Sequence, residues 1–252
     1  MSEAHEPRIP AWPPKSAPRL FVEDTLGEGR ILAIEGPQAH YLGKVMRVRE
    51  GETIILCDDQ TGEWAARVGQ VAKRRVDVTV TERLRKRENV PDLWLCPALL
   101  KKDRFDIVLE KATELGAAQV QPVITRRCVA DKLNLDRATT ITIEAAEQCA
   151  RTALPQLAAP VPLKTMLEDW PSGRRLYFAD EEGGKPAATV FAANKGPSAL
   201  LIGPEGGFDK AEREAIRAHP ATTPISLGPR ILRGETAAIA ALSVWMATSG
   251  DW

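Results

Sequence analysis

The chain has 252 residues, a length that accommodates two domains of ordinary size. Its 34 basic and 34 acidic residues balance, so the overall charge gives no support for nucleic-acid binding, and any basic surface must be local. The four cysteines are far apart and form no C-x-x-C pair, and there are only three histidines, which argues against structural zinc, a disulfide framework and a histidine-based metal site.

The cellular compartment is suggested by features that the sequence lacks. No apolar run reaches membrane-spanning length, and the N-terminus carries no charged-then-apolar signal pattern. The cysteines are therefore most simply buried, reduced thiols of a cytosolic protein. We expect a cytoplasmic protein with no membrane partner and no metal.

The N-terminal third predicts a tail followed by a small β-barrel. Residues 1–18 contain five prolines and little apolar content, which predicts a Pro-rich tail that is disordered or loosely docked. Residues 19–82 form the predicted barrel, interrupted by one short helix over Gln38–Met46. Its strands are five β-rich segments bounded by glycine or charge: Arg19–Val22, Arg30–Ile34, Thr53–Cys57, Glu63–Val68 and Arg75–Thr81.

A charged linker and an α/β domain follow the barrel. Residues 83–91, a charge run closed by Pro91, predict the linker. From residue 92 to residue 252 strand and helix patterns alternate, which predicts an α/β fold with a mostly parallel sheet and helices on both faces. The predicted strands are Leu93–Leu99, Ala118–Ile124, Arg175–Ala179, Leu200–Ile202 and Ile225–Leu227, and the predicted helices are Arg104–Leu115, Ala138–Ala153 and one that opens at Gly234 and continues through an apolar body, Ala237–Ala247.

The first of two glycine-containing loops near the C-terminus reads SALLIGPEGGFDKAE, from Ser198 to Glu212. Asp209, followed three residues later by Glu212, predicts a capping box that opens a helix. The loop is neither a P-loop nor a dinucleotide fingerprint, and Glu205 would repel a phosphate. A neutral or cationic ligand such as S-adenosylmethionine fits better, although an ordinary strand–turn–helix corner has the same glycines.

The second loop reads PISLGPRILRGETAAIAAL, from Pro224 to Leu242. Arg230 and Arg233 lie in it three residues apart, ahead of a nearly all-apolar helix that must be buried on most sides. Ligands of α/β proteins bind at the carboxyl ends of strands, so the two loops suggest one ligand held by both. The alternative is a core helix with two solvated arginines at its mouth.

Several local clusters of basic residues have the composition to follow an RNA backbone. Acidic residues flank each cluster, so a solvated face is the alternative for each, and a packing role is the alternative for the histidine. The residues that we predict to bind RNA are His40, Arg47, Lys101, Arg104, Arg126 and Arg127.

Taken together, these stretches resemble the ribosomal RNA small-subunit methyltransferase E family, S-adenosylmethionine-dependent enzymes of the SPOUT superfamily that methylate uridine N3. The similarity is carried by LLIGPEGG, by its spacing to LGPRILR-x-ET and by the terminal apolar helix, and it extends upstream through KATELG, RRC, EQCAR, HYL and VMR. It covers nearly the whole chain after the Pro-rich tail. Gly234 is a departure, because the family more often carries Thr between the Arg and the Glu.

The resemblance implies a particular fold and cofactor site. The α/β domain would be of SPOUT type with a C-terminal trefoil knot, the barrel would be PUA-like and bind RNA, and the protein would be a homodimer. S-adenosylmethionine would bind among three loops. The implied cofactor-binding residues are Phe178, Ala179, Leu201, Ile202, Gly203, Pro204, Glu205, Gly206, Gly207, Leu227, Gly228, Leu232, Thr236 and Ala237.

The substrate that the resemblance implies is a uridine in the 16S rRNA of the small ribosomal subunit. Arg233 and Arg230 are candidates to stabilise the negative charge that develops on uracil. Glu147 and Arg151 belong to a Glu-Gln-x-x-Arg segment that the family repeats, and Glu147 is a weaker candidate for the general base. From the sequence alone, a surface ion pair on a helix is the favoured interpretation of Glu147 and Arg151, and only the resemblance reverses this preference.

Two other functions stay open. Another SPOUT RNA methyltransferase, acting on a ribose 2′-hydroxyl or on tRNA, would share the GPEGG loop. A non-catalytic RNA-binding ribosome-assembly factor would need no intact cofactor loop. The Glu-Gln-x-x-Arg helix and the barrel favour the uridine-N3 family, and the nearly complete loops favour an enzyme.

Overall fold

A computed structural model describes residues 17–252, and the predicted tail lies almost wholly outside these described residues. The chain forms two compact units. The first unit comprises the residues up to Asn89 together with Ala146–Ala153, and the second comprises Val90–Ala145 and Leu154–Trp252. The first unit is therefore discontinuous in sequence.

The first unit is built on a five-stranded sheet. Its strands are β1 (Arg19–Phe21), β2 (Ile31–Glu35), β3 (Thr53–Cys57), β4 (Gly62–Ala72) and β5 (Arg75–Lys86), in the order β1-β3-β4-β5-β2. β1 pairs with β3 in parallel, and all other pairs are antiparallel. Val76, Val78 and Val80 are buried and alternate with more exposed residues, so β5 turns one face to the core, as a half-buried strand should.

Two predictions for the first unit are wrong in detail. The helix predicted over Gln38–Met46 is instead a short helix α1 (Gly36–His40) followed by a π-helical turn, Tyr41–Met46. The charge run that predicts a linker begins inside β5, which continues to Lys86 and whose arginines have partners on the neighbouring strand β4. Arg85 pairs with the buried carboxylate of Glu63, and the Arg83 guanidinium lies 5.8 Å from the centre of the Trp64 ring.

The second unit is an α/β fold with a parallel seven-stranded sheet. Its strands are β6 (Leu93–Pro97), β7 (Gln119–Val120), β8 (Val123–Ile124), β9 (Gln156–Leu157), β10 (Val161–Pro162), β11 (Arg175–Ala179), β12 (Lys185–Pro186), β13 (Ser198–Ile202) and β14 (Thr222–Ser226). The large sheet has the order β12-β14-β11-β13-β6-β7-β9, and β8 and β10 form a separate parallel pair. Every pair in the large sheet is parallel, which agrees with the prediction of a mostly parallel sheet.

Six further helices complete the described chain. They are α2 (Lys102–Glu114), α3 (Leu135–Cys149), α4 (Leu163–Glu168), α5 (Ala187–Ala192), α6 (Lys210–Ala218) and α7 (Gly234–Ser249). Within residues 17–252 no helix combines the length and the apolar character needed to span a membrane. The predicted apolar helix corresponds to α7, and α2, α6 and β13 lie close to their predicted places.

Several other boundaries were predicted wrongly. The strand predicted over Ala118–Ile124 is broken into β7 and β8, because Pro122 has no N–H to donate to a ladder. The helix predicted over Ala138–Ala153 ends at Cys149, where Ala150 adopts a left-handed conformation and the Arg151 N–H bonds to the Ala146 carbonyl. Sequence patterns did not predict α4, α5, β9, β10 or β12.

Helix α7 fixes the position of the loop that precedes it. A continuous stripe of its side chains is buried in the main core, comprising Ala238, Ala241, Leu242, Trp245 and Met246. The i, i+3, i+4 spacing is that of a helix face packed on neighbouring elements. Burial of a side chain as large as leucine or methionine is worth about 1.5–3 kcal/mol, so the N-terminus of α7 is held firmly beside the sheet.

Candidate active site

A cleft of about 210 Å³ opens at the carboxyl ends of β11, β13 and β14, three adjacent strands of the parallel sheet. This edge is where ligands of α/β proteins bind. The cleft is lined by Phe178, Ala179, Asp180, Glu181, Gly183, Ile202, Gly203, Pro204, Gly207, Phe208, Arg213, Ser226, Leu227, Gly228, Pro229, Arg230, Ile231, Leu232, Gly234 and Ala237. The two loops singled out in the sequence therefore face one cavity.

The GPEGG loop, residues 203–207, depends on its glycines for two different reasons. A Cβ atom at Gly203 would lie 2.9 Å from the ring of Phe208, so any side chain there would displace the ring. Gly207 has a φ of 66° and donates its N–H to the Pro204 carbonyl across 2.9 Å, closing a turn that L-residues rarely adopt. The glycines thus allow the loop to form a tight turn that makes up one wall of the cleft.

The predicted capping box at the start of α6 is confirmed. The Glu212 N–H donates to Asp209 Oδ1 across 2.7 Å, and the Asp209 N–H donates to Glu212 Oε2 across 3.1 Å. The hydrogen bond from the Glu212 N–H, followed by the charge of Arg126, lowers the pKa of Asp209 below its usual value. The helix that follows the GPEGG loop therefore begins at a fixed residue.

An acidic segment at the other side of the cleft was missed by the sequence interpretation. The side chain of Asp180 is fully buried and accepts hydrogen bonds from Arg213 Nη1 at 3.2 Å and Arg217 Nε at 2.8 Å. Glu181 Oε1 accepts another from Arg213 Nη2 at 2.6 Å. Burial opposes the charge of Arg213, but hydrogen bonds and nearby carboxylates outweigh it and raise the pKa of the guanidinium. The available signal was three consecutive acidic residues directly after a buried strand.

The loop from Gly228 to Arg233 carries two arginines of a different kind. The side chains of Arg230 and Arg233 are exposed, and neither makes a hydrogen bond or ion pair with any residue in the part of the chain that the structure describes. Arg230 lines the cleft directly, and between the two lies Ile231, which is 91% exposed. Arg230 is therefore a cation available to a ligand in the cleft, whereas Arg233, three residues further along the same loop, is not among the residues that line it.

Most of the predicted cofactor residues line this cleft, and four do not. Leu201 is fully buried and packs in a different core cluster from its neighbour Ile202. Glu205 turns outward to Arg104, the Gly206 carbonyl accepts a hydrogen bond from Arg127, and Thr236 is exposed on α7. The residues that line it as predicted are Phe178, Ala179, Ile202, Gly203, Pro204, Gly207, Leu227, Gly228, Leu232 and Ala237.

Gly234, the departure from the family pattern, sits where space is short. A Cβ atom there would lie 3.0 Å from Leu100 Cδ2 and 3.3 Å from the Gly203 carbonyl oxygen. Leu100 is itself buried in the main core. Glycine at this position thus allows α7 to begin against both Leu100 and the GPEGG loop.

Glu147 and Arg151 lie in the segment that belongs to the first unit. Glu147 Oε1 accepts the backbone N–H of Phe21 across 2.8 Å, and Arg151 is buried. Burial lowers the pKa of the Arg151 guanidinium. Neither residue lines the cleft, so their catalytic roles stay predictions.

The residues predicted to bind RNA fall into two groups. His40, Arg47 and Lys101 have exposed side chains. The other three make polar contacts with residues of the GPEGG loop or of the capping box that follows it. These are Arg104, Arg126 and Arg127.

Comparison with known proteins accounts for both units. The RNA methyltransferase domain family matches residues 86–246, and the RNA methyltransferase PUA domain family matches residues 34–81. The ribosomal RNA small subunit methyltransferase E of Bacillus subtilis is 33% identical over 242 residues, covering 89% of this chain and 94% of that protein. The corresponding protein of Rickettsia conorii is 30% identical over 228 residues, covering 89% and 93%.

Solved structures agree with the sequence relatives. The Neisseria gonorrhoeae ribosomal RNA small subunit methyltransferase E, bound to S-adenosyl methionine, has a TM-score of 0.86 at 28% identity, covering 94% of this chain and 99% of that chain. A Legionella pneumophila protein described as a methyltransferase, solved with the bound cofactor SAM, has a TM-score of 0.84 at 31% identity with the same coverage.

The parallel sheet, its cleft and the matched domains define an RNA methyltransferase with an accompanying PUA domain. The chain belongs to the ribosomal RNA small subunit methyltransferase E family.

Proposed function

We propose that this protein transfers a methyl group from S-adenosylmethionine to N3 of a uridine in the 16S rRNA of the small ribosomal subunit. The observation that carries the proposal is Arg230, an exposed arginine that lines a cleft formed by strand ends, with the exposed Arg233 three residues further along the same loop. Neither side chain has a polar partner among residues 17–252. Family membership supplies the reaction class, and the arginines supply a chemical reason for uracil as the acceptor.

The residues of the cleft fit S-adenosylmethionine. Its walls include apolar side chains suited to an adenine ring, among them Ile202, Leu227 and Leu232. Asp180 and Glu181 line the cleft, and carboxylates suit a cationic sulfonium better than a phosphate. When bound, the cofactor supplies an electrophilic methyl group, so the reaction needs no metal.

The acceptor chemistry explains what the arginines contribute. N3 of uridine carries an imide proton whose pKa lies above neutrality, so the nitrogen becomes nucleophilic only as this proton leaves. Negative charge then spreads to the uracil oxygens O2 and O4. Guanidinium groups placed at these oxygens stabilise that charge, and a planar donor array suits them well. Arg233 and Arg230 take this role in our proposal.

The remaining parts of the proposal concern assembly and location. The PUA-like unit, a small barrel spanning residues 19–82, binds RNA through His40 and Arg47, with Lys101 contributing from the methyltransferase domain that occupies residues 92–252. The domain carries a C-terminal trefoil knot of SPOUT type, and the protein acts in the cytoplasm as a homodimer. The family membership and the exposure of these side chains support these statements.

A reaction with defined substrates tests the function. The purified protein is incubated with S-adenosylmethionine and small ribosomal subunits that lack methylation at uridine N3, and the digested RNA is analysed by mass spectrometry. We expect N3-methyluridine only when both enzyme and cofactor are present. A different methylated nucleoside would refute the uridine-N3 assignment, and absence of cofactor binding would refute the enzymatic role.

A further inference from the structure

Three arginines that the sequence predicts to bind RNA contact the GPEGG loop and the capping box that follows it instead. Arg104 Nη1 donates to Glu205 Oε1 across 3.1 Å, and Arg127 Nη1 donates to the Gly206 carbonyl across 2.9 Å. Arg126 Nη1 donates to Asp209 Oδ2 across 3.1 Å. These cations differ from Arg230 and Arg233, whose side chains are unpartnered among the described residues.

Arg127 makes the most direct contact, because its partner is the backbone of the loop. Its aliphatic stem also lies along Gly206, where a Cβ atom would approach Arg127 Cβ to 3.4 Å and Cδ to 3.5 Å. The stem therefore covers the open face of this glycine while the guanidinium binds its carbonyl.

The segment that carries Arg127 is itself a closed turn. The Cys128 N–H donates to the Thr125 carbonyl across 3.2 Å, and the Thr125 N–H donates to Cys128 Sγ across 3.3 Å. The backbone N–H of Arg126 is fixed to Glu212 Oε1 at 2.8 Å. Arg127 therefore projects from a backbone segment that hydrogen bonds fix on both sides. Its guanidinium can for this reason restrict the position of the GPEGG loop.

Two adjacent glycines leave the GPEGG loop many conformations in the absence of external contacts. The Gly206 carbonyl belongs to the peptide whose N–H, that of Gly207, closes the turn to Pro204. A hydrogen bond to this carbonyl therefore orients the whole peptide plane. Ligand affinity rises when a binding loop is held in its bound conformation beforehand.

We infer that Arg127 is a positioning residue that preorganises the GPEGG loop for S-adenosylmethionine, and that it is not an RNA contact. This role rests on the proposed function, because it takes the cleft to be the cofactor site. Loss of the hydrogen bond should appear as weaker cofactor binding with little change at saturating cofactor.

Calorimetry with S-adenosylmethionine on the full chain tests the inference, comparing Arg127→Ala and Arg127→Lys with Arg126→Ala. Arg126 is the matched control, because it is adjacent, equally cationic and bound to the capping box rather than to the loop backbone. We expect Arg127→Ala to raise the Kd about tenfold, the effect of losing one hydrogen bond to a charged donor. Arg127→Lys should recover part of the affinity, and Arg126→Ala should stay within about twofold of the wild type.

Further measurements separate the competing explanations. Thermal unfolding of each variant shows whether it folds, and Arg127→Lys keeps the test valid if the alanine variant does not. An unchanged Kd for both Arg127 variants, with weaker binding to small ribosomal subunits, would overturn the inference in favour of RNA contact. If the wild-type protein did not bind the cofactor, both the proposed function and the positioning role of Arg127 would be refuted. If the wild-type protein and both Arg127 variants bound the cofactor equally well, only the positioning role of Arg127 would be refuted.

Discussion

Substitution of Gly203 by alanine should destabilise the protein through a single identifiable contact. The added Cβ atom would lie 2.9 Å from Phe208 Cε2, about 0.6 Å closer than the 3.5 Å lower end of an ordinary carbon–carbon contact. Phe208 cannot easily retreat, because its ring packs edge-on against Phe178 with the centroids 5.4 Å apart. Overpacking of this kind costs about 1–3 kcal/mol, and we expect the free energy of unfolding to fall by that amount.

Urea unfolding of four variants measures this effect and its origin. In Phe208→Leu protein the ring is absent, so Gly203→Ala should cost less than about 0.5 kcal/mol in that background. Gly206→Ala serves as the matched control, because its Cβ atom would meet only Arg127 at 3.4 Å, an ordinary contact distance. Equal losses for Gly203→Ala in the two backgrounds, or equal losses for Gly203→Ala and Gly206→Ala, would refute the steric explanation.

Three further predictions concern the site, the thiols and acid stability. Arg233→Ala should lower kcat by about 100-fold with little change in the cofactor Kd, because it removes one group that stabilises a developing anion. If turnover and cofactor affinity fell equally, the residue would only shape the cofactor pocket. Burial raises the pKa of the Cys57 and Cys96 thiols to about 12. Iodoacetamide at pH 8 should therefore modify only the other two cysteines in the native protein and all four in denaturant. Rapid labelling of Cys57 or Cys96 in the native protein would contradict this prediction. Cys57 and Cys96 are the buried thiols, as predicted, whereas Cys128 is half-buried and Cys149 is exposed, so the prediction that all four are buried is wrong. Burial would raise the pKa of Asp58, but hydrogen bonds from the Leu26 N–H and from Thr61 outweigh burial and lower the pKa. The ionised carboxylate therefore stabilises the fold above its unfolded pKa of about 3.9. This contribution is lost as the pH falls through the lower pKa of the folded state. Asp58→Asn should therefore cost about 1–3 kcal/mol at pH 7 and flatten the decline of unfolding free energy below pH 4; an unchanged decline would exclude Asp58 as its source.

The elements that were predicted correctly are those determined by residues close to one another in the sequence. β3 and β11 have both of their predicted ends, and the Asp209–Glu212 capping box was predicted from its three-residue spacing alone. The mostly parallel character of the sheet was predicted from the alternation of strands and helices. The short helix α4 was not predicted, because it has only six residues, has Pro162 as an N-cap without a side-chain hydrogen bond, and depends on the burial of its apolar residues.

Only part of the candidate site could be predicted from the sequence. The two loops could be predicted to share a ligand because both follow buried strands. The roles of the arginines could not, because their partners are remote: Arg104 and Glu205 are 101 residues apart, and Arg127 and Gly206 are 79 apart. A basic residue in a sequence shows a charge, whereas the position of its counter-charge depends on the tertiary fold.

The discontinuity of the first unit has a consequence for synthesis on the ribosome. Its sheet is complete at Lys86, yet Glu88 binds Thr152 and Ala153, and Arg85 binds the Ala150 carbonyl at 2.6 Å. These contacts form only after residue 153 has left the exit tunnel. At about 5–20 residues per second, the nascent chain spends at least about three seconds in which Arg85 and Glu88 lack these partners. A chaperone that engages nascent chains would meet this incomplete part of the first unit during the interval, and a truncation after Asn89 would leave it incomplete permanently.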